Sequence, residues 1–175
     1  MKSTYDDELP AIDVLKNEHN FLSKLMGSWH TAVLGFRSNR YSPAEGREVW
    51  QSLRRQIMEF IGPFRNHTEK EEEFLYPLLV KNAETERDLF AIKKVKEEHA
   101  RILAGIEFLL QYSYEDINNM TLVELKAIAK DAGKLFDLMT AHFNKEETLL
   151  FPKVLNTLRS PEQQQLFNDV YTSII

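Results

Sequence analysis

Apolar residues along this chain recur at intervals of three and four over long stretches, which is the period of helices with one buried stripe. Val14, Leu15, Leu22, Leu25, Met26 and Trp29 form such a stripe in a segment running from about Ala11 to Leu34, with Gly35 as its stop and Ser38-Asn39 as a loop. Ser42-Pro43-Ala44-Glu45 predicts the start of a second helix: Ser42 caps it, Pro43 suits the first helical position, and Glu45 completes a capping box. That helix should reach about Val80, with a kink or break at Gly62-Pro63, because Pro63 cannot donate to residue 59. A third helix opens at Thr85–Asp88 and continues to about Tyr112 along Leu89, Ile92, Val95, Ile102, Ile106 and Leu109. Thr121 to Glu124 caps a fourth that runs to about Leu158, and Ser160-Pro161-Glu162-Gln163 starts a short fifth.

No segment alternates with the period of a strand. The expected fold is all-α: an antiparallel up-down four-helix bundle with a short fifth, C-terminal helix. The division that follows is a tail at residues 1–10, the bundle at 11–158, and a helix at 159–175 packed on the bundle.

The second half of the chain echoes the first. His67-Thr-Glu-Lys-Glu71-Glu-Glu-Phe-Leu-Tyr-Pro77 aligns without a gap to His142-Phe-Asn-Lys-Glu146-Glu-Thr-Leu-Leu-Phe-Pro152, 75 positions later. Asn17-Glu18-His19 and Glu97-Glu98-His99 form a shorter echo, 80 positions apart. The pattern is a His followed by His-x-x-x-Glu, stated twice.

Each of these histidines falls on an apolar stripe. His19 is in register with Leu15, Leu22 and Met26, and His99 with Ile92, Val95, Ile102 and Ile106. His67 shares a face with Phe64, Glu71 and Phe74, and His142 with Leu135, Leu138, Glu146 and Leu149. A lone His on such a face is ordinarily a satisfied core residue. Four of them, one per bundle helix, two with a Glu one turn on at roughly 5–6 Å between Cβ atoms, call for a cation. A core-facing carboxylate is costly unless it is paired or ligated.

Composition limits which cation. There are no Cys residues, which removes disulfides, thiolate zinc sites and Cys-ligated iron–sulfur clusters. The donors are imidazole and carboxylate only. Four imidazoles and two carboxylates exceed one tetrahedral zinc and suit two metals, each taking two His, with the carboxylates shared. Such donors fit iron or manganese better than a soft metal, although affinity order leaves zinc and copper open. A net charge of −5 gives no general attraction to nucleic acid or an anionic membrane. Met1 to Pro10 carries Asp6, Asp7 and Glu8 without an apolar run, so no signal peptide and no membrane span are expected, and the expected location is cytoplasmic.

Taken together, His19, His67-x-x-x-Glu71, His99 and His142-x-x-x-Glu146 resemble the hemerythrin-like, or HHE cation-binding, family over about Leu15 to Leu155. The resemblance implies a four-helix bundle around two non-haem iron ions, oxo- or hydroxo-bridged, that meet dioxygen or nitric oxide. By position, His19, His67, His99 and His142 would be terminal ligands, and Glu71 and Glu146 would bridge. The family's oxygen carriers have a further His one turn before the third-helix His, where this chain has Val95, and an Asp bridge five residues after the last His, where it has Glu147. Binding, sensing or oxidation chemistry with dioxygen, nitric oxide or iron is therefore expected ahead of reversible carriage. Rival readings are a metal-dependent signalling or interaction module and a di-iron oxidase or peroxidase-type enzyme; no catalytic residue is assigned.

Neighbouring residues are read more plainly. Glu18 and Glu98 precede ligand-type His residues and read as solvent-facing charges, with a role as hydrogen-bond partners of a ring N–H as the alternative; Glu69, Glu72 and Glu73 read as a solvated face. Glu72 and Glu147 become alternative ligands if a π-bulge shifts the register. His30 lies eleven residues past His19, about 16 Å along a helix axis, and reads as a surface residue. Phe64, Phe74, Tyr76, Phe143 and Phe151 read mostly as core packing, with walling off a gas-sized pocket as the alternative for some of them.

Overall fold

The computed structural model describes residues 10–173. Nine of the tail residues expected at 1–10 lie outside that range; Pro10 opens the first helix. Among the described residues the chain is all-helical, without strands. In order the helices are α1 (Pro10–Leu25), α2 (Gly27–Arg37), α3 (Pro43–Lys70), α4 (Tyr76–Lys81), α5 (Glu86–Leu110), α6 (Tyr114–Asn119), α7 (Leu122–Lys145), α8 (Phe151–Thr157) and α9 (Ser160–Thr172). Two π-turns, Glu71–Leu75 and Glu146–Leu150, join α3 to α4 and α7 to α8.

The capping boxes form where the sequence places them. Glu45 accepts from the Ser42 backbone N–H at 2.8 Å, Asp88 from Thr85 at 3.1 Å, and Glu124 from Thr121 at 2.7 Å. A fourth box, Ser113 with Asp116, starts α6, which is too short for a periodic signal. At α9 the cap is one residue earlier than expected: Arg159 is the extended residue, and its backbone N–H donates to Glu162 at 3.1 Å.

Two expected boundaries move. The first helix breaks at Met26 rather than running unbroken to Leu34. Gly27 is a poor helix former, and a tightened turn in which the Trp29 N–H donates to the Met26 carbonyl at 2.9 Å keeps both side chains buried. Conversely, α3 runs through Pro63 without breaking into two helices. The carbonyl that Pro63 deprives of a partner belongs to exposed Glu59, where water can satisfy it.

The irregularity falls instead just before Pro77 and Pro152. In each π-turn the backbone N–H of the residue preceding the proline bonds five residues back, Tyr76 to Glu71 and Phe151 to Glu146. A proline ring crowds the carbonyl four residues back in a regular helix, and the wider turn gives it room. The extra residue advances the buried face by one. Leu75 and Leu150 are buried, whereas Phe74 is half-buried and Leu149 is exposed, against the regular-helix reading. Leu89, expected on the buried stripe of α5, is also exposed.

The core is divided into two apolar clusters. One holds Leu22, Trp29, Trp50, Phe60, Phe64, Ile102 and Met139 among others. The other holds Leu15, Leu75, Tyr76, Val95, Leu150 and Phe151, closed by Leu166 and Val170 of α9, which packs along α1. The chain crosses from one cluster to the other four times, and each crossing is at a histidine. Leu15 and Leu22 flank His19, Phe64 and Leu75 flank His67 and Glu71, Val95 and Ile102 flank His99, and Met139 and Leu150 flank His142 and Glu146.

Candidate metal centre

The layer between the two clusters contains His19, His67, Glu71, His99, His142 and Glu146, none more than 2% exposed. They form two overlapping groups of potential ligands, His19–His67–Glu71–Glu146 and Glu71–His99–His142–Glu146. The sequence-nominated residues are thus brought to one place, and both carboxylates belong to both groups.

Each imidazole is held from outside by a carboxylate on its Nδ1. His19 Nδ1 lies 2.8 Å from Glu147, His67 Nδ1 2.9 Å from Glu18, His99 Nδ1 2.9 Å from Glu72, and His142 Nδ1 3.2 Å from Glu98. An ionised carboxylate can only accept, so each Nδ1 carries the proton and donates it. Glu18 and Glu98 are steadied in turn by Lys70 and Lys145. Glu18 and Glu98 thus take their alternative role, as partners of a ring N–H, and Glu72 and Glu147 take the same role in place of facing solvent or serving as ligands. They lie at the border of the layer, and each holds a histidine of another helix. Glu69 and Glu73 are exposed, as expected, and so is His30, beside Phe136.

With Nδ1 occupied, the four Nε2 atoms present lone pairs inward. His19 Nε2 and His67 Nε2 are 2.9 Å apart. Glu71 Oε2 is 3.5 Å from His67 Nε2 and 3.3 Å from His99 Nε2. Glu146 Oε2 is 3.3 Å from both His19 Nε2 and His142 Nε2, and its Oε1 is 3.6 Å from His99 Nε2. Each carboxylate therefore lies between imidazoles from both halves of the chain. Glu71 Oε1, His142 Nε2 and Glu146 Oε2 are buried without a hydrogen bond. Converging lone pairs on borderline-hard donors, some of them orphaned, fit cations such as iron, manganese or zinc.

Without a metal, protons take the cation's place unevenly. Burial opposes charge on His99, but the adjacent Glu146 and Glu71 carboxylates outweigh it and push it up to about 10. His19 is raised against burial by Glu146 and Glu71, whereas His142 is lowered by burial, aided by the charge on His99. Glu146 is held well below the usual carboxylate range, its burial overcome by His19 and His99.

Aromatic rings wall the layer. Phe143 and Phe151 both stack on His19, at centroid distances of 4.4 and 5.4 Å. Tyr76 stacks on His99 at 5.7 Å, and its hydroxyl enters the layer, where it donates to Glu146. Burial and the Glu71 and Glu146 charges push that phenol well above its ordinary 10. As a wall of the layer Tyr76 fits the sequence reading, but its hydroxyl among the carboxylates lies outside it; the signal for that is the repeat itself, which sets Tyr76 opposite Phe151. A cleft of about 280 Å³, lined in part by Pro63, Asn66 and Lys70, reaches the Glu18–Lys70 pair from outside. A larger one of about 520 Å³ lies along α2 and the first part of α7, away from the histidines.

Over the described residues, an all-helical fold whose buried imidazoles and carboxylates converge in one layer with the donor set for a cation defines a class of protein, and comparison with known families gives the same answer. The hemerythrin HHE cation-binding domain matches residues 10–154, and again residues 91–171. The chain belongs to that family. No curated protein and no solved structure matches it. Among the described residues, no helix is long and apolar enough to cross a membrane.

Proposed function

We propose that the protein holds two metal ions in this layer, one by His19 and His67 and the other by His99 and His142, with Glu71 and Glu146 shared between them. The observation that carries the reading is the orientation of the four imidazoles. Their Nδ1 protons are all committed outward to Glu147, Glu18, Glu72 and Glu98. What is left inside is four lone pairs and two carboxylates, too many acceptors for the few protons the layer can hold.

The native pair in this proposal is non-haem iron, with zinc and manganese as substitutes the donors accept, and its ligand is dioxygen or nitric oxide. When bound, such a pair supplies one-electron exchange and coordination of a small gas. The chain's own residues supply the rest. The outer carboxylates fix ring orientation and make the imidazoles better donors. Phe143 and Phe151 exclude water from the His19 side. No second imidazole stands on α5, since the residue one turn before His99 is Val95, fully buried among apolar neighbours. That favours sensing or oxidation over reversible carriage.

The four crossings between the apolar clusters alternate in direction, which supports an antiparallel up-down bundle over residues 11–158, with the helix Ser160–Thr172 docked on it. The test is metal analysis of freshly purified protein with an absorption spectrum. Two irons per chain are expected, and Glu71→Ala with Glu146→Ala should lose both ions while keeping helix content. Retention of two metals by the double variant would overturn the bridging assignment.

A further inference from the structure

The two halves of the layer repeat each other in their histidines and glutamates and differ in the side chains packed around them: Phe143, which stacks on His19, has Thr68 as its counterpart, and Phe151 has Tyr76. Tyr76 stands 75 positions before Phe151, the same offset as His67 to His142 and Glu71 to Glu146. The two rings do the same work. Phe151 stacks on His19 with 21° between ring planes, and Tyr76 on His99 with 22°. The difference is the hydroxyl, which Phe151 lacks.

That hydroxyl lies among metal-ligand candidates. Besides the bond to Glu146, it is 3.2 Å from Glu71 Oε2 and 3.4 Å from His99 Nε2. A phenol has one proton to donate. If it goes to Glu146, the oxygen still faces the Glu71 carboxylate and the inward nitrogen of His99, whose Nδ1 proton is committed to Glu72 on the far side of the ring. Three oxygens and a nitrogen then converge in a dry layer, an arrangement that calls for positive charge among them, supplied by a proton on His99 when no metal is bound and by the metal when one is. No equivalent oxygen reaches His19, which is covered on both faces by hydrocarbon, Phe143 and Phe151.

We propose that the Tyr76 phenol oxygen is a further ligand to the metal of the His99–His142 half, so that the two half-sites are chemically unlike; this rests on the two-metal reading above. As the oxygen–metal bond forms, the phenol O–H bond breaks and its proton passes to bulk buffer, with no change in oxidation state. The bound phenolate adds a negative charge to one half and favours the ferric state there. The His19–His67 half has no such phenol to add, so a metal held there would have the fewer protein ligands, and a small neutral ligand would bind at that half, against Phe143 and Phe151.

The experiment uses the full chain loaded with ferric iron, with iron counted per chain alongside the spectrum. Phenolate coordination to ferric iron gives a visible charge-transfer band, and resonance Raman excited in that band shows tyrosine ring modes that shift on ring deuteration. Both signatures are expected in the unmodified protein. In Tyr76→Phe the band should vanish with iron still bound. Adding Phe151→Tyr to that variant should restore a band, by moving the phenol to the other half. Two irons per chain without tyrosine modes in the unmodified protein, or a band that survives Tyr76→Phe, would overturn this proposal and leave the two-metal reading intact. A chain that takes up no iron overturns the two-metal reading and this one with it. If Tyr76→Phe does not fold, the isotope shift in the unmodified chain decides.

Discussion

His19 of α1 donates its Nδ1–H to Glu147, 128 positions later in the chain, across 2.8 Å. The reciprocal bond, His99 to Glu72 at 2.9 Å, runs the opposite way between the halves. The residues that stand one place after the inward carboxylates, Glu72 and Glu147, thus reach across and fix the ring of the other half. The π-turns allow this, since one turn of helix delivers two consecutive glutamates to the same layer.

Removing either outer carboxylate should therefore cost metal affinity without removing a ligand. Glu72→Gln and Glu147→Gln should each weaken binding roughly 10- to 100-fold, read by competition against a chelator. Unchanged affinity in both would mean that the contacts orient nothing.

The two lysine-backed pairs differ in burial, and their loss should differ too. Lys70 is 3% exposed at its side chain and Lys145 33%. Glu18→Ala strands a buried ammonium and should lower metal-free stability by about 3 kcal/mol. Glu98→Ala leaves a solvated one and should cost about 1 kcal/mol. Urea melts of the two variants check the order, and equal losses would contradict it.

The α9 contact should be sensitive to acid. Lys81 at 2.7 Å and the Arg159 backbone N–H hold Glu162 down to about 2, from 4.5. A depressed carboxylate contributes stability that is complete above 4.5 and is lost as pH falls through 2. The difference in melting temperature between the natural protein and Glu162→Gln should accordingly be present at neutral pH and shrink to nothing across that window. A difference that persists below it would show that charge is not the cause.

Glycine replacements should split in sign. At Gly35 a Cβ would meet the ring and hydroxyl of Tyr41, itself packed edge-on against Phe36 at 5.0 Å. Gly35→Ala should destabilise by about 1–2 kcal/mol despite the better helix propensity. At Gly27, at the start of α2, a Cβ meets nothing within 4 Å, and Gly27→Ala should stabilise by about 0.5–1 kcal/mol. Thermal melts with metal content as a control check both.

What the sequence makes legible is whatever repeats within one helix. The caps at Ser42, Thr85 and Thr121 are local, and so are the histidines on their apolar stripes. For Glu18 and Glu98 periodicity ranks solvent ahead of a histidine partner, for a definite reason. Each is one residue from a histidine and so points about 100° away from it on its own helix, yet that direction is toward the next helix, where His67 and His142 wait. Leu149 and Leu150 exchange roles because one extra residue in the π-turn resets the period, an effect of Pro152 that a fixed 3.6-residue wheel cannot carry. The Tyr76 hydroxyl is a matter of depth along the side chain, which periodicity does not encode at all.

The crossed pairing of Glu72 with His99 and Glu147 with His19 also bears on how the molecule comes apart. Neither half of the chain owns a finished set of oriented imidazoles; each borrows one carboxylate from the other. A cation held in the layer is then a clasp between two interlocked pieces, and its grip is felt equally on both sides of the seam. Its removal should loosen the first and second halves in step, as one cooperative event, in place of a fraying that starts at either terminus.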